Sequence, residues 1–567
     1  MTVTRPDTPA GSLHDTQTDG RTLNIAEQLT AMAVRYPDKR AVVWTVGRDA
    51  SGRARYAHVT FEQLDRETDR YAHGLETVGI TRGTRTIVFV PPGVEFFALV
   101  FALFKVGAVP VMIDPGLGRQ QMRSCLSQVH GEAFIGVPLA HVFRTLYPGS
   151  FRSVRVAVTV GRRWFWGGLR LADIRSDPWR PYESVPTEAH DPAAILFTSG
   201  STGPAKGVLY EHGMFDAQVR YLHSHFGYSA EEVDLPTFPL FALFDVALGM
   251  TAVIPEMDFS RPGAVDPRKI IEPIGDHGVT HMFGSPALLD RVSRYGEAHG
   301  TTLPTLRRVV TAGAPVPAVV LERMHTMLGP EAEVHTPYGA TEALPVASIG
   351  SREILGETAE QTTRGAGTCV GTPMDGLDVR IIRIDDAPIA DWSDDLELPA
   401  GDTGEITVSG SVVTRTYHNN PDATALAKIA HDASIRHRMG DVGYLDATGR
   451  LWFCGRKAHR VVTRTGTLFT VPCEAIFNQH PRVCRSALVG VGEAGRQLPV
   501  ICIQLEDDAT GADQELLTRE LMALAVADPR TRAITTILVH PGFPVDARHN
   551  SKIVREKLAV WAAEQVR

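Results

Sequence analysis

The sequence predicts an α/β protein with a large N-terminal unit of several subdomains and a small α+β unit at the C-terminus, joined by a hinge. Three observations carry this reading. TIVFVPP, FFALVFALFKVGA and VPVMIDP read in turn as strand, helix and strand, the order that a parallel sheet with crossover helices imposes. The same alternation recurs at SVRVAVTV, AAILFTSG and LRRVVTAGA, with no repeat of fixed period. Near Gly455 the texture changes: SALVGVG and LPVICIQLE read as strands of a small sheet, and 515–527 and the last dozen residues read as helices. The boundary is expected in the polar run Gly-Arg-Lys-Ala-His-Arg, giving units at 21–454 and 455–567.

Composition narrows the function. Of 567 residues, 43% are hydrophobic and 22% charged, which excludes a mainly disordered or membrane-embedded chain. With 57 basic and 65 acidic side chains the net charge is −8, so there is no global basic footprint and nucleic acid is not an expected partner. Residues 1–20 lack the apolar core of a secretory signal and are expected to form a disordered tail. The most apolar segment, 96–104, follows Glu95, precedes Lys105 and is too short to span a bilayer, so it predicts a buried helix and a protein that is not transmembrane. Cys125, Cys369, Cys454, Cys473, Cys484 and Cys502 make no CxxC pair; free thiols in the cytoplasm are expected rather than disulfides or zinc.

The strongest local signal is Leu196-Phe-Thr-Ser-Gly-Ser-Thr-Gly-Pro-Ala-Lys-Gly207, directly after a strand-like run. Small residues let the backbone approach an anion, the hydroxyls of Thr198, Ser199, Ser201 and Thr202 add donors, Gly200 and Gly203 give room, and Lys206 supplies charge. It is not a Walker A loop, because Gly207 follows the lysine where a Ser or Thr would meet Mg²⁺. A literal GxGxxG at 490–495 is a decoy: a strand-like run, not a helix, follows it, so a turn is expected. No GxSxG elbow and no HExxH motif is present, which leaves hydrolase and zincin readings without support.

The run TSGSTGPAKG resembles the phosphate loop of the adenylate-forming superfamily of acyl-CoA synthetases, luciferases and peptide-synthetase adenylation domains. Further motifs follow in the same order over nearly the whole chain. Tyr338-Gly339-Ala-Thr341-Glu342 resembles YGxTE, Gly313-Ala314-Pro315 the adenine-flanking segment, Gly440-Asp441-Val-Gly-Tyr444 the GDxG motif, and Gly455-Arg456 the start of the hinge motif. The resemblance implies an N-terminal adenylation domain with a C-terminal lid, ATP and Mg²⁺ as cofactors, and a role for each residue. Lys206 and the loop hold the β- and γ-phosphates, Tyr338 lies against adenine, Thr341 meets the α-phosphate, Glu342 holds Mg²⁺ as a hard oxygen ligand, and Asp441 and Arg456 hold the ribose. Lys552 stands where the superfamily's catalytic lysine stands.

Four positions depart from the pattern. Ala458 occupies the hinge position usually held by Asp or Lys, and Gly466 comes one residue late. Ala242 replaces the His of a PLFHxxG motif, and Ser551 replaces the Gly before Lys552. The text LPTFPLFALFD at 235–245, with GMTAVIP after it, is similar to one branch, the β-lactone synthetases of bacterial long-chain olefin biosynthesis. That branch implies a long-chain 2-alkyl-3-hydroxy acid, activated as acyl-AMP and closed to a β-lactone by its own hydroxyl, and an assembly with other olefin-pathway enzymes. An acyl-CoA or acyl-AMP ligase stays open as the alternative enzyme, and a silent nucleotide-binding scaffold as the alternative class. His212, His281 and His335 are candidate bases for ring closure. Residues 238–250 are a candidate wall for an alkyl pocket, and Trp164-Phe-Trp166 with Arg162, Arg163 and Arg170 a candidate docking patch for a protein partner or a membrane.

Overall fold

The computed structural model describes residues 23–114, 116–197, 205–506, 514–545 and 553–566. The tail expected at 1–20 lies outside the described residues. One seven-stranded sheet runs Leu169–Arg170, Val156–Thr159, Ala133–Gly136, Arg85–Phe89, Val109–Ile113, Pro192–Phe197 and Gly207–Glu211, parallel but for the last pair. A second runs Glu333–His335, Arg308–Val310, His281–Phe283, Val233–Pro236, Thr251–Ile254, Arg40–Arg48 and Ala54–Thr60, again parallel except at its final hairpin.

One apolar cluster joins the two sheets through the helices Phe61–Thr77 and Val94–Lys105. Every residue from Phe96 to Lys105 is buried, which answers the continuous apolar run of the sequence: this helix has no solvent face to colour polar. Its last residue is still charged. Lys105 Nζ lies 2.7 Å from Asp65 and 2.6 Å from Asp69, so the neighbouring helix supplies the counter-charges that a buried ammonium requires. A capping box at Thr60 and Gln63 starts that neighbour.

An eight-stranded antiparallel sheet follows, from Tyr338–Ala340 through Ser434–Leu445 to Leu451–Arg456. Arg456 therefore ends a strand of this sheet, opposite Asp441. After the short turn Lys457–His459 comes a small α+β domain, with strands Val483–Val491, Leu498–Leu505 and Thr536–Val539 packed on helices Thr470–Phe477, Gln514–Ala527 and Arg555–Gln565. It has its own core, including Phe477, Leu488, Ile501 and Leu521. The GxGxxG run is the turn between Val483–Val491 and Leu498–Leu505, where Val491 faces Leu498 across the antiparallel pair. Around Ala458 the chain touches both units: Lys457 Nζ is 3.0 Å from Glu405 in the large sheet, His459 Nε2 is 3.2 Å from Glu556 in the last helix, and Arg460 reaches back to Asp386 of the large unit at 2.5 Å. No helix among the described residues is long and apolar enough to cross a membrane.

Candidate nucleotide site

Two carboxylates organise the site. Glu342 sits in the tight connection between the strands Tyr338–Ala340 and Ala343–Ser348. Only glycine fits at 339, because a Cβ there would lie 2.7 Å from the carbonyl of Ala343. Thr414 fastens the turn, donating its amide (2.9 Å) and hydroxyl (3.1 Å) to the Glu342 carbonyl. The Tyr417 hydroxyl donates to Glu342 Oε1 at 2.5 Å. Two ammonium groups approach the Tyr417 ring, Lys206 at 4.9 Å and Lys428 at 5.9 Å from its centroid. Lys428 is buried and donates to Thr414 Oγ1 at 3.0 Å; burial pulls its pKa down to about 7, with Glu342 opposing and Lys206 adding to the fall.

Asp441 is the second. Strand pairing sets Arg456 directly opposite it, and Arg456 Nη1 lies 2.9 Å from Oδ1. The Tyr338 hydroxyl donates to Oδ2 at 2.7 Å. Burial and this carboxylate hold the Tyr338 phenol well above its ordinary range, and Asp441 raises Arg456 in turn. Gly455 has φ +130°, and a Cβ there would strike Thr470 Oγ1 at 2.3 Å, so the glycine before the arginine is a steric requirement.

The remaining expected residues arrange around these. Thr341 gives its carbonyl to the Tyr210 hydroxyl at 2.6 Å. Gly313, Ala314 and Pro315 follow the C-terminal end of Arg308–Val310, beside the strand Glu333–His335 that leads to Tyr338. Thr198, Ser199, Gly200, Ser201, Thr202 and Gly203, and Ser551 and Lys552, lie outside the described residues. The base of the loop is described: Phe197 pairs with Gly207, and the His418 amide donates to the Gly207 carbonyl at 2.8 Å, which carries Lys206 to Tyr417. Glu342, Tyr338, Asp441, Arg456 and Lys206 thus belong to one polar network or its immediate border.

The sequence reading missed Tyr417, Lys428, Tyr210 and a second buried cluster. Asp234 and Asp245 are 2% exposed, His281 lies 3.5 Å from Asp234, and the Tyr228 hydroxyl is 2.6 Å from His281 Nε2. Of the candidate bases, His281 is committed to this cluster. His212 is buried, accepts the Ile25 amide at 3.2 Å and is held neutral by burial, with its pKa lowered to about 4. His335 is lowered to about 4 as well and meets Phe226 edge-on. Ala242, at the position of the histidine of the usual motif, is fully buried. Phe238, Phe241 and Phe283 form a chain of edge-to-face contacts at the strand ends.

Among the described residues there is no cluster of three or more His, Cys, Asp or Glu side chains able to hold a metal. A single carboxylate, Glu342, suits Mg²⁺ nonetheless, because that ion takes one or two protein oxygens and completes its shell with phosphate and water. The arrangement as a whole offers Lys206 for a polyanion and a carboxylate with an arginine and a phenol for a diol.

Residues 29–418 match the family of AMP-binding enzymes. The chain is 49% identical over 549 residues to the olefin beta-lactone synthetase of Xanthomonas campestris pv. campestris, covering 96% of this chain and 98% of that one. It is 50% identical over 555 residues to the olefin beta-lactone synthetase of Stenotrophomonas maltophilia, covering 96% and 99%. In fold it is similar to the amide bond synthetase McbA from Marinactinospora thermotolerans, with a TM-score of 0.75 at 22% identity over 95% of this chain and 99% of that one. The order of the motifs, the paired-carboxylate site and the match over most of the chain give one conclusion: this protein belongs to the AMP-binding enzyme family of adenylate-forming ligases.

Proposed function

We propose that the chain is an ATP-dependent β-lactone synthetase acting on a long-chain 2-alkyl-3-hydroxy acid in the cytoplasm. The observation that carries this reading is near-50% identity, over almost the full length, to two proteins named olefin beta-lactone synthetase. The free state of all six cysteines supports a reducing compartment.

In the first half-reaction a carboxylate oxygen of the substrate attacks the α-phosphorus of ATP and pyrophosphate leaves. Two anions meet, so positioning and charge neutralisation carry the rate. Lys206, with the loop 198–204, binds the outer phosphates; Thr341 meets the α-phosphate; Tyr338, with the segment 313–315, borders adenine. Asp441 accepts hydrogen bonds from the ribose, held in place by Arg456. Mg²⁺, when bound at Glu342, offsets phosphate charge, and Tyr417 fixes the orientation of that carboxylate. Lys552 comes from the C-terminal domain, which acts as a lid beginning at the turn Lys457–His459 and stabilises the reacting centre. In the second half-reaction the substrate's C3 hydroxyl oxygen attacks its own acyl carbon, the carbon–oxygen bond to AMP breaks, and the hydroxyl proton passes to a base as the four-membered ring closes. Phe238, Phe241 and Phe283 wall the alkyl side.

An internal nucleophile needs no thiol channel and no second lid position for CoA, which agrees with Ala458 at the hinge. The test compares a 2-alkyl-3-hydroxy acid with the same acid lacking the 3-hydroxyl. Both are expected to release pyrophosphate, while only the first gives multiple turnovers to AMP without CoA. Turnover of both that requires CoA would make the chain an acyl-CoA ligase instead.

A further inference from the structure

The loop between the strand Val156–Thr159 and the edge strand Leu169–Arg170 carries three consecutive aromatic residues, of which one packs. Trp166 is 6% exposed, stacks on His141 with centroids 5.2 Å and planes 3° apart, and donates its Nε1 proton to Thr159 Oγ1 at 3.0 Å. Trp164 and Phe165 touch its ring at centroid distances of 5.4 and 5.2 Å, yet remain 55% and 73% exposed. Arg162, Arg163 and Arg170 are exposed beside them, with Leu169 at the edge. Asp173 is the one acidic residue between 162 and 173, and it pairs with Arg170. A cationic, aromatic tip thus projects from a chain whose net charge is −8.

We propose that this tip docks the enzyme on a bilayer containing anionic phospholipid, with Trp164 and Phe165 in the headgroup region and Arg162 and Arg163 on lipid phosphates. Indole and phenyl rings favour that interface, and an arginine near an anionic surface strengthens binding roughly fivefold. The anchor of Trp166 on His141 presents the two free rings in a fixed place, so little order is lost on docking. Two aromatic side chains and two charges give a reversible attachment rather than a permanent one. Aromatic residues and arginine are enriched at protein interfaces as well, so a protein partner is the other occupant that the test separates from a bilayer. The inference rests on this surface alone and is independent of which product forms at the nucleotide site.

The test is flotation of the full chain with vesicles of one part phosphatidylglycerol to two parts phosphatidylcholine, and with phosphatidylcholine alone. Flotation is expected with the first and is expected to fall on adding salt. It should drop roughly tenfold or more in Arg162→Glu/Arg163→Glu and likewise in Trp164→Ser/Phe165→Ser. ATP–pyrophosphate exchange on a short, water-soluble acid should stay at the wild-type level in both variants, reporting an intact fold. No flotation of the wild type, equal flotation on both vesicle types, or undiminished flotation of the variants would overturn the proposal. Loss of association with another protein in the variants, without any vesicle binding by the wild type, would overturn it too and assign the tip to a protein interface.

Discussion

The hydroxyl of Tyr417 donates to Glu342 Oε1 at 2.5 Å across 75 positions of sequence, and the ring that carries it lies against Lys206. One side chain thus orients the carboxylate and borders the lysine on which nucleotide binding is proposed to depend. Tyr417→Phe keeps the ring and removes the hydrogen bond. Since a bond to a charged group is worth about 1.5–3 kcal/mol, adenylate formation should slow roughly 10- to 100-fold, with a higher Mg²⁺ requirement. ATP–pyrophosphate exchange across a Mg²⁺ series measures both; a wild-type rate and Mg²⁺ dependence would remove Tyr417 from the account.

Asp441 holds Tyr338 and Arg456 together, so Asp441→Asn weakens both of these bonds, and with them the proposed hold on the ribose, without changing shape. The KM for ATP should rise about tenfold or more, from the loss of charge-assisted bonds. The rate at saturating ATP should change far less. Steady-state kinetics at varied ATP separates the two, and a fall in kcat with an unchanged KM would contradict the ribose assignment.

These two groups differ in how legible they were. Tyr338, Glu342, Asp441 and Arg456 sit in short runs whose glycines are sterically required, so the local text announces them. Nothing local marks Tyr417 or Lys428: they reach the site through the pairing of Val208 with Tyr417 and through Thr414 on the Glu342 carbonyl. Such long-range register is not encoded in periodicity. The buried helix and the C-terminal α+β domain were readable, because a solid apolar run and a strand–turn–strand pattern each have few structural solutions. The run 238–250 is mostly apolar, and its one acid, Asp245 on the helix Ala242–Ala247, turns inward to Asp234 on the strand Val233–Pro236, a pairing that no local pattern marks.

That pair makes stability depend on pH. Burial raises the Asp245 carboxyl to about 7, and burial with Asp245 beside it raises Asp234 further. The folded protein keeps a proton that the unfolded chain loses above about pH 4, so this contribution is complete below that value and is lost as pH rises through about 7. Asp245→Asn cannot lose the proton. Its melting temperature should vary less between pH 4 and 8 than that of the wild type and exceed it at pH 8, as read by thermal melts in a buffer series. Parallel curves would mean that the pair carries no such proton.

Lys552→Ala should cost about 3–4 kcal/mol in the first half-reaction, the usual consequence of removing one donor to developing charge. The second half-reaction, started from synthetic acyl-AMP, should be affected far less. Single-turnover measurements of each half provide the check, and near-normal pyrophosphate exchange in the variant would sink the assignment.

The most direct measurement is proton NMR of the products from purified protein, Mg²⁺, ATP and a synthetic 2-alkyl-3-hydroxy acid, recorded without heating, with and without CoA. Ring protons of a β-lactone together with AMP, formed at the same rate in both samples, are the expected result. A thioester appearing only with CoA, or no AMP in either sample, would contradict the account.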